Sequence, residues 1–158
     1  QASPTSDPGF VTRVTPTGVL GVAINPLALA IAAGATFVAR GFVQETEHLV
    51  GLIKQGIQHP GFALIDVLQP CVSFNHKNTY GWYRERVYKL EAEGNYDPAD
   101  QVAAFARTQE WGDRIPIGLF FREVRPAFHS QLPALKEKPL VKQEHNPLRF
   151  APLLEGFL

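Results

Sequence analysis

The sequence predicts an α/β fold. Three features carry that reading. Phe62 to Leu68 is apolar on both alternating sets of positions apart from Asp66, as in a central parallel strand covered on both faces. Gln44 to His59 is an amphipathic helix, with Leu49, Val50, Ile53 and Ile57 on one face and Lys54, Gln55 and Gln58 elsewhere. Ala35 to Arg40 reads as a short strand just before that helix, so the three form a strand–helix–strand unit. Such a unit joins parallel neighbours by a right-handed crossover.

With 158 residues the chain is long enough for one domain with a proper core and short for two. Lysine plus arginine equals aspartate plus glutamate, fifteen of each, so the overall charge favours neither nucleic acid nor an anionic membrane as a partner. The single cysteine excludes an internal disulfide framework and suits a reducing compartment, which points to the cytoplasm. No charged segment followed by an apolar core opens the chain, so a secretory signal is not indicated, and the absence of methionine suggests that residues precede Gln1 in the natural protein.

Taken in order, Ser3-Pro4-Thr5-Ser6-Asp7-Pro8-Gly9 is a run of turn-formers that reads as a loop. Gly18 to Ala39 carries no charge, which is long enough to raise a membrane span. Asn25-Pro26 splits it: Asn25 is a good N-cap, Pro26 suits the first helical position, and Gly34 offers a left-handed end. The run resolves into a helix over Leu27–Ala33, a turn and the strand Ala35–Arg40. Glu45 and Glu47 suit the start of the following helix, and His59-Pro60-Gly61 stops it. After Phe62–Leu68, Pro70 ends the ladder because it has no N–H to donate. Cys71 then stands at the carboxyl end of a strand, where ligands gather in open α/β sheets.

Beyond Cys71 the character changes. Asn75 to Thr79 is polar, and Asn78 or Thr79 can cap a helix through Tyr80–Leu90 whose four aromatics read as packing residues. Asp97-Pro98 opens another helix to about Arg107, and Ile117–Arg122 is a further strand. Prolines recur from Arg125 onward. The segment after Asn75 is expected to leave the sheet and extend over a surface, of a partner or of its own domain.

Walker, GxGxxG, HExxH and GxSxG signatures are absent, and the five histidines show no metal-ligand spacing. By itself a lone cysteine is more often a small buried hydrophobe than a ligand.

Wider motifs add to this. Gln1-Ala2-Ser3-Pro4-Thr5, Asn25-Pro26-Leu27-Ala28-Leu29-Ala30, Gly34-Ala35-Thr36-Phe37-Val38-Ala39-Arg40-Gly41, Leu64 through Asn75 and Tyr80-x-Trp82-Tyr83 occur in that order. Together they resemble the β subunit of 2-oxoacid:ferredoxin oxidoreductases, well over residues 1–90 and more weakly beyond. The resemblance implies the C-terminal portion of a thiamine diphosphate-binding-type parallel sheet over residues 1–75, and a helical, extended C-terminal tail over residues 76–158. It implies oxidative decarboxylation of a 2-oxoacid with CoA, giving acyl-CoA and CO2, with electrons passed through a 4Fe–4S cluster to ferredoxin. Thiamine diphosphate, magnesium and the cluster are the implied cofactors. Cys71 is the implied fourth cluster ligand. Gln1, Ser3, Pro4 and Thr5 would adjoin the cofactor and substrate loop. The acidic magnesium–diphosphate motif and three further cysteines are not in this sequence, so their place is expected upstream. The implied partners are an α subunit, the missing N-terminal half of the β subunit, and ferredoxin, with neither nucleic acid nor membrane. The chain by itself is expected to be inactive.

Two other readings stay open on the residues alone. One is a non-catalytic fragment of the same fold that survives as a subunit interface. The other is an unrelated small α/β binding module, which would bury Cys71 against apolar neighbours.

Overall fold

The strand Phe37–Phe42 (β1) is buried at every position and organises the sheet. The coordinates are a computed structural model that describes residues 2–144, 146 and 151–156. β1 lies between Ala63–Leu68 (β2), parallel to it, and Ile115–Arg122 (β4), antiparallel to it. Val87–Lys89 (β3) pairs in parallel with the outer side of β4, giving a four-stranded sheet of order β2-β1-β4-β3. The expected parallel pair is therefore present, from Phe37 opposite Ala63 to Phe42 opposite Leu68.

Two sequence expectations change here. The apolar run Phe62–Leu68 does not lie in the centre of the sheet: β2 is an edge strand, with Phe62 just before it 63% exposed, and the doubly covered strand is β1. The segment after Asn75 does not leave the sheet at once: as far as Arg122 it contributes to it. Its helix, Tyr80–Arg84 (α3), stops after five residues, and β3 and β4 both join the sheet. Arg86 explains part of this early stop. Its guanidinium folds back over the Trp82 ring at 4.6 Å and donates to the Trp82 carbonyl, while its own carbonyl accepts from the Ile115 N–H at 2.9 Å. The chain is thereby turned into the β-prone Val87-Tyr88 pair.

Helix α1 (Pro26–Ala32) begins as expected, with Asn25 Oδ1 accepting from the Ala28 N–H at 3.1 Å and Gly34 in the left-handed region at φ 85°. Its Leu27, Ala30 and Ile31 meet Val38, Phe120 and Phe121 of the sheet and Ala104 of helix α4 (Gln101–Thr108). Asp100 caps α4, accepting from both Val102 and Ala103.

Helix α2 (Thr46–Gln58) covers the opposite face, where Leu52 packs with Phe37 and Ala39. Its contact stripe differs from the expected one. Of the expected residues Leu49 lies against Gly41 as foreseen, a side chain larger than hydrogen at Gly56 would press on Ile65, and Val50 and Ile53 are about four-tenths exposed and Ile57 79%. Both stripes have helical spacing. Only the glycines, which allow close approach of helix to strand, distinguish them.

A polar group is buried at the end of α2. The His59 Nε2–H donates to Thr36 Oγ1 at 2.8 Å, whose hydroxyl donates onward to the Phe62 carbonyl, leaving His59 Nδ1 buried without a partner. Burial, seconded by the Arg122 charge, holds the imidazole below its ordinary pKa. Because the folded pKa is depressed, the unfolded chain binds more protons as the pH falls through the ordinary histidine value. The neutral ring's contribution is therefore complete above about pH 6.5 and is lost as the pH drops below it. Thermal melts should show the wild type losing more stability than His59→Gln between about pH 7 and pH 5, and parallel losses would contradict this assignment.

The chain forms two compact units, Gln1–Arg125 and Pro126–Leu158. The second consists of short helices, Phe128–Gln131 (α5), Pro133–Lys136 (α6) and Ala151–Glu155 (α7), with a 3-10 turn at Leu140–Lys142. Among the described residues no helix is long and apolar enough to cross a membrane.

Candidate functional site

The carboxyl ends of β1 and β2 open onto a cavity of about 520 Å³ within the first unit. The loop at residues 3–7 forms one wall, the segment 69–71 another, and Trp111 a third. Ser3 and Thr5 therefore line the same space as Cys71. Pro4 does not line it, but its carbonyl accepts from the Ile24 N–H at 2.8 Å and ties the loop to the start of α1. Gln1 lies outside the described residues.

Local hydrogen bonds hold each wall. The Ser3 N–H donates to Ser6 Oγ at 2.9 Å, Ser3 and Thr5 share a hydroxyl contact of 2.9 Å, and the Ser6 N–H returns to the Ser3 carbonyl. This is the self-bonded turn that serine and threonine favour. On the opposite side the Cys71 carbonyl accepts from Asn75 at 2.9 Å and from Phe74 at 3.3 Å, while Asn75 Oδ1 accepts from the Lys77 and Asn78 backbone. Cys71 begins a closed turn and its side chain is exposed. That exposure counts against the small binding module, for which the cysteine was expected to be buried.

The floor of the cavity holds a charge pair that motif reading did not single out. Arg40 on β1 stands opposite Asp66 on β2, and its Nε donates to Asp66 Oδ2 at 2.8 Å. Arg40 is 3% exposed, and its guanidinium lies 5.4 Å from the Trp111 ring centre and 5.6 Å from that of Phe120. Its Nη1 is buried without a hydrogen-bond partner. The sequence did hold a signal, a carboxylate inside an otherwise apolar strand and an arginine at the end of the neighbouring one. What it did not hold was their register.

Around the pair, Tyr83, Trp82 and Trp111 form an aromatic cluster, with Trp82 and Tyr83 edge-to-face at 4.9 Å and Tyr83 and Trp111 at 6.4 Å. Burial pushes the Tyr83 hydroxyl above its ordinary pKa, with Arg40 acting against the shift, so it is a neutral donor at physiological pH. A second polar cluster lies away from the cavity. Arg107 bridges Glu93 and Glu110, and Tyr88 donates to Glu110 at 2.6 Å; burial and that bond push the Tyr88 hydroxyl up to about 12. Its groups are all used by one another, which marks it as structural.

Among the described residues no three histidine, cysteine, aspartate or glutamate side chains are grouped to hold a metal ion. The cavity offers one exposed thiol, neutral oxygens and amides, Asp7, and Asp66 already paired with Arg40. Its lone thiol matches a single-cysteine share of a metal cluster, and its two carboxylates, one of them bonded to Arg40, are not grouped as a magnesium–diphosphate site needs.

Residues 71–137 match the family that describes the C-terminal region of the pyruvate ferredoxin oxidoreductase beta subunit. A 2-oxoacid:ferredoxin oxidoreductase β subunit from a Sulfolobus species is 44% identical over 144 residues, covering 85% of this chain and 47% of that protein. The 2-oxoglutarate synthase subunit KorB of Methanocaldococcus jannaschii is 31% identical over 138 residues, covering 87% of this chain and 50% of that one. The fold superposes on a 2-oxoglutarate:ferredoxin oxidoreductase from Magnetococcus marinus, solved with 2-oxoglutarate, coenzyme A and succinyl-CoA bound. That match has a TM-score of 0.80 at 29% identity and covers 98% of this chain and 52% of that one. The chain thus spans about half the length of the relatives it matches.

Proposed function

We propose that this chain, similar over most of its length to 2-oxoacid:ferredoxin oxidoreductase β subunits and spanning about half of theirs, is the C-terminal part of such a subunit. In the assembled enzyme it would take part in oxidative decarboxylation of a 2-oxoacid with CoA, passing electrons to ferredoxin. The observation that supports this most is the shared cavity: the exposed sulfur of Cys71 and the hydroxyls of Ser3 and Thr5 border one space at the carboxyl end of a parallel strand pair.

Residues 1–75 would complete the thiamine diphosphate-binding sheet and residues 76–158 form the subunit's extension. Cys71 would give a thiolate to a 4Fe–4S cluster, whose remaining ligands come from outside this chain. The soft, charged sulfur is the donor type such clusters take, and the closed turn that begins at Cys71 presents it at a fixed point. Ser3 and Thr5, with Pro4 fixing their loop, would border thiamine diphosphate, as would Gln1; magnesium and diphosphate would be held by residues elsewhere. When bound, thiamine diphosphate supplies the carbanion stabilisation and the cluster the one-electron relay. This chain's own contribution would be orientation: it would present the Cys71 sulfur, close the cavity wall and keep Tyr83 protonated beside the floor. The α subunit, the N-terminal half of the β subunit and ferredoxin are the proposed partners, and the cytoplasm the proposed compartment.

A subunit-interface fragment without cofactors is the second reading. It draws support from apolar side chains left uncovered in this unit, such as Leu20 at 90% and Phe74 at 80% exposure. Activity separates the two. With its partner subunits, CoA and pyruvate or 2-oxoglutarate, the chain should support ferredoxin reduction, whereas the chain alone with added thiamine diphosphate and magnesium should not decarboxylate either acid. Turnover by the isolated chain, or none by the assembly, would contradict the proposal.

A further inference from the structure

The turn that begins at Cys71 has two different sides. Cys71, Asn75 and Asn78 line the cavity, while Val72, Phe74, His76 and Lys77 do not line it and are exposed, Val72 at 58% and Phe74 at 80%. Asn75 closes the turn from the cavity side: its N–H donates to the Cys71 carbonyl at 2.9 Å, and its Oδ1 accepts from the Lys77 and Asn78 N–H groups. A turn closed in this way has the cross-section of a single helical turn, about 10–12 Å with its side chains. It is therefore a thin partition, with the cavity on one side and two uncovered apolar side chains on the other.

Charge marks the outer side. No carboxylate occurs between Asp66 and Glu85, and those two are bonded to Arg40 and Arg86. Lys77 and Arg84 have no acidic partner among the described residues. Arg84 lies at the same end of the sheet, where its Nη2 donates to Gln44 Oε1 at 2.9 Å just past the last residue of β1. The core of a permanent subunit seam is depleted of charge, whereas uncovered apolar groups beside unpaired cations suit a small encounter surface steered by charge.

We propose that the outer side of this turn, with Val72 and Phe74 as apolar contacts and Lys77 as the cation, is the docking surface for a carboxylate-rich one-electron carrier protein, the ferredoxin of the proposed reaction. The proposal rests on the reading of Cys71 as a cluster ligand and adds to it the face by which electrons leave. A carrier seated on Val72 and Phe74 lies one turn's thickness from the cavity wall and does not enter the cavity. Lys77 meets its carboxylates, and Arg84 adds to the positive field at this end of the sheet, which speeds encounter without making the complex permanent.

The test uses the enzyme assembled with its partner subunits and the ferredoxin of the same organism. Binding of ferredoxin to the wild type should weaken as added salt shortens the screening length. Phe74→Ser should weaken it by about tenfold, and Lys77→Glu by a similar factor at low salt but little at high salt. Lys54→Glu, the same charge change on α2, should leave it unchanged. Iron content and the reduction of a small viologen dye, which needs no docked protein, should match the wild type in all three variants. If Phe74→Ser and Lys77→Glu bind ferredoxin as the wild type does, or Lys54→Glu weakens it as much as Lys77→Glu, the docking surface is overturned while the cluster reading stands. If both variant chains keep the wild-type circular dichroism but fail to assemble, the face is a subunit seam and the proposal is overturned as well. A wild-type assembly with neither iron nor dye reduction refutes the cluster reading, and this surface with it.

Discussion

Replacing Cys71 by alanine in the assembled protein is expected to remove the iron–sulfur cluster and abolish electron transfer to ferredoxin, while thiamine diphosphate binding survives. The size of the effect follows from ligand chemistry. No nearby side chain substitutes for a thiolate: Ser73 and Asn75 offer oxygen or nitrogen, and Asn75 Oδ1 is already accepting from Lys77 and Asn78. The folding cost should be small, within about 0.5 kcal/mol, because an exposed side chain leaves no cavity when shortened. The two effects therefore separate in one variant. Iron and sulfide analysis with a thermal melt reads both. A full cluster in Cys71→Ala would remove the ligand role, and a large loss of stability would mean that the sulfur packs rather than coordinates.

Asp66→Ala is expected to cost the chain's own fold a large part of its stability. Asp66 gives the buried Arg40 its one hydrogen-bonded counter-charge, and without it the guanidinium sits between two aromatic rings with no carboxylate beside it. Breaking a buried pair from one side costs about 3–5 kcal/mol, more than the pair itself is worth, since the remaining charge has lost both water and partner. The partial exposure of Asp66 does not reduce this much, because the stranded group is the arginine. A double variant, Arg40→Met with Asp66→Ala, removes both charges and should recover most of the loss. Urea denaturation of the single and double variants decides it. Equal losses in the two would show that Asp66 acts through strand packing instead.

The two strands, the helix between them and the caps of α1 were legible because each depends on local chemistry: an N-cap asparagine before proline, a glycine at a left-handed end, a proline that ends a ladder. What was not legible depended on relations between distant residues. The stripe Val50, Ile53 and Ile57 has the same spacing as Leu49, Leu52 and Gly56. Leu49 was read correctly; choosing Leu52 and Gly56 over the others required knowing that Phe37, Ala39 and Ile65 would lie beneath them. The apolar character of Phe62–Leu68 reported that the segment is a strand, but not that its outer edge is unpaired among the described residues. β3 was missed because Tyr80 to Leu90 has a helical aromatic pattern, and the backbone bond from Ile115 to Arg86 that redirects it comes from almost thirty positions away. The cavity shows the same division. That Cys71 would follow the end of a strand was legible from Pro70. Arg40 and Asp66 came to face each other only through a parallel register that sets them side by side.

Whether this chain supplies the last cysteine of a cluster beside a thiamine diphosphate cavity is tested most directly by cofactor stoichiometry. The protein is purified anaerobically with its partner subunits, and iron, acid-labile sulfide and thiamine diphosphate are measured per copy of this chain. The predicted result is a cluster requiring Cys71, with about four iron atoms and as many sulfides depending on it, together with bound thiamine diphosphate. An assembly that carries neither cofactor, or one whose cluster is complete with Cys71 replaced, would contradict it.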